Sequence, residues 1–270
     1  MVSGGVQQLV LPEAAALQPK VVIGVFGGSK IEVTSSIFDQ LLDGNTVRLA
    51  MVDSVDESPH EEQPKLRFAK QGWSLWWART CATDWGGAQQ RHRVVGFMWR
   101  GSGDMSGRFD EPTIPPGRVR DYLDPPAHVP EDHWLPGNVA LKAVRVKHQV
   151  GHPRKLGVAV VKGKEKYVFG ITGPATTILA KEERTEGTEA TLYFDDRPGG
   201  RAQPRVLTSS EKWRMQGGSS EALAAAKEMG VTDAKIRELT AMGVPTRMAE
   251  GLTEQWGAHV WATLERGYTG

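Results

Sequence analysis

The densest group of side chains able to bind a ligand lies between Lys142 and Lys166. Lys142, Arg145, Lys147, Arg154, Lys155, Lys162, Lys164 and Lys166 fall there against a single acid, Glu165, with His148 and His152 among them. Cations carried on short apolar strands can neutralise phosphates and release counterions, the sequence-independent part of nucleic-acid affinity. The same composition also makes an ordinary solvated β surface, and this run alone leaves both readings open. A second cluster, Gln89-Gln90-Arg91-His92-Arg93, is by itself a basic turn ahead of an apolar strand. Gly27-Gly28-Ser29-Lys30 lacks phosphate-loop spacing and reads as a plain strand-to-helix turn. The histidines show no ligand spacing such as HExxH, so no metal is assigned. Cys81 is the only cysteine, and its place in a Trp-rich apolar segment suits a small buried residue better than a reactive thiol.

The elements that must carry these groups are set within 270 residues, 39% hydrophobic and 24% charged, enough for one large domain or two smaller ones. The balance of 33 Lys+Arg against 32 Asp+Glu excludes a globally basic or disordered chain, so any electrostatic argument is local. No apolar run approaches the ~18 residues of a membrane span, and the start lacks a secretory signal pattern. With its lone cysteine, the chain reads as soluble and intracellular, without distinguishing cytoplasm from nucleus.

Lys20 to Phe26 predicts a strand, Ile31 to Leu42 a helix, and the acidic, proline-broken stretch 53–65 a loop. Trp73 to Ala82 and Arg93 to Trp99 predict two further strands. Residues 101–204 change to prolines, glycines and short Val/Ile runs, a β-rich and loop-rich texture. Helical spacing then returns in Ser209 to Met215, Ser220 to Glu228, Asp233 to Thr240 and Pro245 to Thr263, with Ser and Asp at capping positions. The Trp73, Trp76, Trp77 cluster fits strand packing rather than a base-stacking platform.

Four segments in order give a more specific reading: WSLWWARTCATDWGGAQQRHRVVGFMWR (Trp73 to Arg100), RVRDYLDPP (Arg118 to Pro126), GPATTILA (Gly173 to Ala180) and RVLTSSEKWRMQG (Arg205 to Gly217). Together they resemble the DNA cytosine-5 methyltransferases. Gln89, Arg91 and Arg93 match that family's Gln-x-Arg-x-Arg signature. Thr177-Ile178 resembles the short element closing its target-recognition domain, and Arg205, Leu207, Thr208, Glu211, Arg214, Gln216 and Gly217 supply the segment that follows. The resemblance implies an α/β fold in which an incomplete Rossmann-type methyltransferase domain carries an inserted β-rich target-recognition domain. Residues 1–103 would be the partial catalytic domain, 104–204 the recognition domain, and 205–270 a helical return.

What the resemblance implies for chemistry is transfer of a methyl group from S-adenosylmethionine to C5 of a cytosine flipped out of double-stranded DNA. Arg93 would approach the cytosine ring oxygen and Arg91 would order the pocket, since a guanidinium stabilises developing negative charge without titrating. Thr177 would meet a backbone phosphate. Gln89 and the cations Lys142, Arg145, Lys147, Arg154, Lys155, Lys162, Lys164 and Lys166 would contact DNA.

Three departures stand beside the resemblance. Neither the family's Asp-Leu-Phe-x-Gly-x-Gly cofactor loop nor its Pro-Cys nucleophile is found in the chain. Val25-Phe26-Gly27 stands where Glu-Asn-Val is expected. Leu239 to Pro245 resembles the last motif without its asparagine. The expectation is therefore the C-terminal part of such an enzyme, inactive alone and doubtful in cofactor binding, either a subunit that assembles with a second chain carrying the missing motifs or a truncated product of such an enzyme. The alternative is a non-catalytic DNA-binding or regulatory protein of the same descent.

Overall fold

A computed structural model of the chain describes residues 25–26, 49–55, 73–100, 112, 114–137, 141–143, 152–179 and 191–255. The chain divides into two compact units: Met1–Thr80, His92–Asp110 and Leu252–Gly270 form one, Cys81–Arg91 and Glu111–Gly251 the other. The predicted helix from Ile31 and the Gly27-Gly28 turn lie outside the described residues.

In the first unit, β1 (Val25–Phe26), β2 (Leu49–Val55), β3 (Trp73–Cys81) and β4 (His92–Arg100) make one sheet in the order β1-β2-β4-β3. β1 and β2 run parallel, with Val25 opposite Met51. β4 inserts between β2 and β3 and runs antiparallel to β2, from Leu49 opposite Trp99 to Val55 opposite Arg93. A parallel pair flanked by an antiparallel insertion requires a crossover on one side and permits a short return on the other. The loop expected from residue 53 begins later than its composition suggests. Asp53, Ser54 and Val55 complete β2, because pairing with Val95, Val94 and Arg93 of β4 outweighs the weak strand preference of Asp53 and Ser54.

The second unit is built on β5 (Leu141–Ala143), β6 (Lys155–Val161), β7 (Lys164–Gly170), β8 (Leu192–Phe194) and β9 (Pro204–Arg205), paired in that order. Only the β7–β8 pair is parallel. Lys162 and Gly163 turn the β6–β7 hairpin with φ of 49° and 76°, both left-handed, as a two-residue type I′ turn requires. Alternation sends Val168 and Phe169 to opposite faces. Val168 joins a core of Leu135, Ala159, Val161, Leu192 and Val206, while Phe169 packs on Ala88, Val119, Ile171, Ala175, Ile178, Tyr193, Leu207 and Met215. Each large side chain buried there contributes roughly 1.5–3 kcal/mol.

Three single-turn 3-10 segments, Val119–Tyr122, Pro126–His128 and Glu131–His133, carry the proline-rich arm. Three helices follow at the expected places: α1 (Ser209–Met215), α2 (Ser220–Glu228) and α3 (Asp233–Met242). Residues 246–255 are also helical. Ser219 and Thr232 cap α2 and α3 by accepting the amides of Ala222 and Lys235, each cap contributing about 1 kcal/mol. Among the described residues no helix is long and apolar enough to cross a membrane.

Candidate functional site

The polar turn at Gln89 is the hub of the second unit. Gln89 is fully buried, and its side-chain Nε2 donates to Oε1 of Gln216. Its Oε1 accepts the amide of Ile178 at 3.4 Å. Gln216 in turn donates to the carbonyl of Gly243 at 2.6 Å, and its own carbonyl accepts the amide of Thr246 at 2.9 Å. Three segments far apart in sequence are thus joined through two amide side chains, each of which can donate and accept at once. Backbone bonds reinforce the junction: Ala175 N donates to Ala88 O, and Gln90 N to Ala175 O, both at 2.7 Å. Gly217, with φ of 95°, passes so close to Thr246 that a β-carbon would overlap its side chain, so only glycine fits after Gln216.

The predicted base-contact residues divide between the units. Arg91 belongs to the second; it is 5% exposed and donates from an Nη to the carbonyl of Ala241 at 2.5 Å. Arg93 belongs to the first, buried in β4 opposite Val55. Thr177, half-buried, donates its hydroxyl to the carbonyl of Gln90 at 2.6 Å. Gln90 also meets Nδ1 of His152 at 2.6 Å.

The segment after residue 204 owes its pattern to a buried ionic network. Arg205, with no exposed surface, holds Glu211 through both Nη atoms at 2.8 Å and Asp195 at 3.2–3.3 Å. Glu211 also accepts the amides of Thr208 and Asp124 at 2.8 Å, and Thr208 Oγ1 accepts the amide of Glu211 in return. Thr208 and Glu211 therefore form the capping box of α1, a seven-residue helix too short to persist by itself. Arg214 pairs with Asp124 at 2.7 Å, and Arg197 pairs with Asp195 while donating to the carbonyls of Leu123 and Asp124. Burial would raise the Asp195 pKa, yet the Arg197 hydrogen bond and the charges of Arg205 and Arg197 carry it below the usual carboxylate value. Asp195 and Arg197 lie outside the family-like segments, and Asp124 lies within RVRDYLDPP with no role read for it, so nothing in their spacing marks them as partners of this segment.

The basic run spreads along β5, β6 and β7 of the second sheet, with Lys155 at one end of β6 and the tip of Lys162 and Lys164 at the other. Lys142 and Arg154 are exposed, as are Lys162 and Lys164 at the β6–β7 tip. Lys155 is half-buried, its Nζ 3.0 Å from the centre of the Tyr167 ring. Lys166 is 6% exposed on the same sheet face as Val168, and burial, then the charge of Lys164, lowers its pKa. Arg145 and Lys147 lie outside the described residues.

Cys81 is buried, with the Thr83 hydroxyl donating to its sulfur at 3.1 Å and Asp84 accepting its amide at 3.0 Å. Among the described residues no group of His, Cys, Asp or Glu could hold a metal ion. The resemblance implies that the last motif, Leu239 to Pro245, would help close the S-adenosylmethionine pocket. The Gly243 carbonyl and the Thr246 amide are both taken by Gln216, so these groups are turned inward and do not present a donor set to a cofactor.

The β1-β2-β4-β3 sheet, the second β-rich unit and the helical return together make an α/β methyltransferase fold. The S. pombe Dnmt2 methyltransferase superposes on 93% of this chain and 81% of its own, with a TM-score of 0.62 at 13% identity. The Entamoeba histolytica methyltransferase EhMeth covers 94% and 82%, with a TM-score of 0.62 at 11% identity. A Spodoptera frugiperda DNMT2 variant covers 93% and 83%, with a TM-score of 0.61 at 10% identity. No protein-family model matches the sequence, and no curated protein matches it.

Proposed function

We propose that this chain supplies target-base contacts and nucleic-acid recognition of the DNA cytosine-5 methyltransferase type and is inactive by itself. The observation that carries the reading is the meeting of Gln89, Ile178 and Gln216, which draws three segments of the family-like pattern into one hydrogen-bonded junction. That junction fixes the turn that carries Arg91, and a guanidinium held in place can grip a cytosine ring while charge shifts without reorganising. The exposed cations of the second sheet would position the duplex through its phosphates. The methyl donor implied by the resemblance is S-adenosylmethionine; its binding and the attacking thiolate are assigned to a second chain.

A non-catalytic DNA-binding or regulatory protein of the same descent is the second reading. It is favoured by the state of the lone cysteine, buried and hydrogen-bonded, and by the Arg91 guanidinium, which is tied to Ala241. Incubating purified chain with labelled S-adenosylmethionine and duplex DNA is expected to give no transfer. Transfer abolished by Arg93→Ala would overturn the assignment of inactivity. Restoration of transfer by a second chain bearing the cofactor and nucleophile loops would select the first reading over the second.

A further inference from the structure

The open face of β5, β6 and β7 carries a feature that phosphate contact alone does not use. Lys142 pairs with Val158 and Val158 with Tyr167, so the three side chains lie in one row on one face of the sheet. Val160 and Glu165 form the next row on that same face. The opposite face, with Ala159, Val161 and Val168, is core, and on the Tyr167 face Val158 is buried while Phe169 packs on a second core, so the open part is the patch around Tyr167 and Val160. Tyr167 is nevertheless 55% exposed and Val160 40% exposed. An aromatic ring beside a branched apolar side chain, bordered by Lys142 and Lys155 and, at the hairpin tip, by Lys162, with Lys164 on the other face, matches a partner combining flat apolar faces with negative charge. A nucleic-acid strand has both, and stacking on an aromatic ring needs a base that is not already stacked in a duplex.

We infer that this face binds an unpaired nucleotide, its base on Tyr167 and its phosphate at Lys155. In the free protein the Lys155 ammonium sits over the Tyr167 ring, a contact of the cation–π type. An arriving nucleotide exchanges the two attractions: the base takes the ring, and the ammonium moves to the phosphate. The inference rests on the nucleic-acid reading above and adds where unpaired bases go. Bases are stacked on from both sides in an intact duplex, so intact duplex gains only the phosphate contacts.

The test compares affinity for a fully paired duplex with that for the same duplex containing a three-nucleotide single-stranded gap. Wild-type chain is expected to prefer the gapped duplex about tenfold, the effect of one base–aromatic stack. Tyr167→Ala, at an exposed position, is expected to erase the preference, and Tyr167→Trp to keep it. Lys162→Asn with Lys164→Gln is expected to weaken both duplexes alike. Equal wild-type affinities, or a preference that survives Tyr167→Ala, would overturn the inference while leaving phosphate binding intact. Absence of binding to either duplex would instead bring down the nucleic-acid reading itself. Single-stranded deoxyribo- and ribo-oligomers of one sequence form the last arm: either sugar binding in a Tyr167-dependent way supports the inference, and Tyr167-independent binding of both contradicts it.

Discussion

The side-chain amides of Gln89 and Gln216 hydrogen-bond to each other across 127 positions of sequence. Each amide also has a backbone partner, Ile178 N for Gln89 and Gly243 O for Gln216, so neither can be replaced without stranding a buried group. Gln216→Leu keeps the approximate volume and removes both hydrogen bonds. It should cost about 1–3 kcal/mol, the usual penalty for leaving buried polar groups unpaired, read as a lowered midpoint in chemical denaturation. An unchanged midpoint would mean the junction does not hold the unit together.

Arg205 is the second joint. Arg205→Met leaves Asp195 and Glu211 buried without their shared cation, and losing one partner of a buried pair costs about 3–5 kcal/mol. Calorimetric unfolding of the variant should show this loss; a shift comparable to that of exposed Arg118→Ala would contradict the network. Arg118 is a fair control, since its ion pair is with exposed Asp121.

Acid should act through the same group. Asp195 has its folded pKa below the ordinary 3.8, so its contribution is fully present above that value and fades as pH falls through the lower, folded one. Stability measured against pH should therefore fall less steeply below about 3.8 in Asp195→Asn than in the wild type. Parallel curves would remove Asp195 from the acid response.

Lys166 has the opposite balance. Its folded pKa is lowered from 10.5 chiefly by burial, so the unfolded chain holds the proton more tightly. Stability from this group rises with pH between the folded value and 10.5, and below that window the full penalty applies. Lys166→Met is expected to stabilise the chain at neutral pH by on the order of 1 kcal/mol, as burial of a charge is relieved. Destabilisation would show that the interactions of the ammonium outweigh its burial.

Much of this architecture is legible in the residues themselves. The helices from Ser209, Ser220 and Asp233 are legible in their composition, although the caps are Thr208, Ser219 and Thr232, so that Asp233 is the first helical residue and not a cap, and the strand runs around Trp73 and Arg93 are legible in their β-branched and aromatic content. The end of β2 is not, because Asp53 and Ser54 are strand residues only when β4 lies beside them. The same holds for the site. The Arg205 to Gly217 pattern is visible as a string, yet its role in binding Asp124 and Asp195 exists only once the chain is folded. The spacing of Lys142 to Lys166 likewise gives no sign that Lys166 turns inward while Lys162 and Lys164 stay exposed. Alternation puts Lys164 and Lys166 on one face, with Val161 and Ala159, so that division follows from how far each lies from the hairpin tip.

The salt dependence of duplex affinity tests most directly whether the second sheet reads nucleic acid. Lys142→Gln, Lys162→Asn and Lys164→Gln are combined, asparagine being chosen because position 162 needs a left-handed backbone. The slope of log affinity against log salt should become shallower by about 0.9 for each phosphate contact removed. A slope equal to that of the wild type would contradict the account.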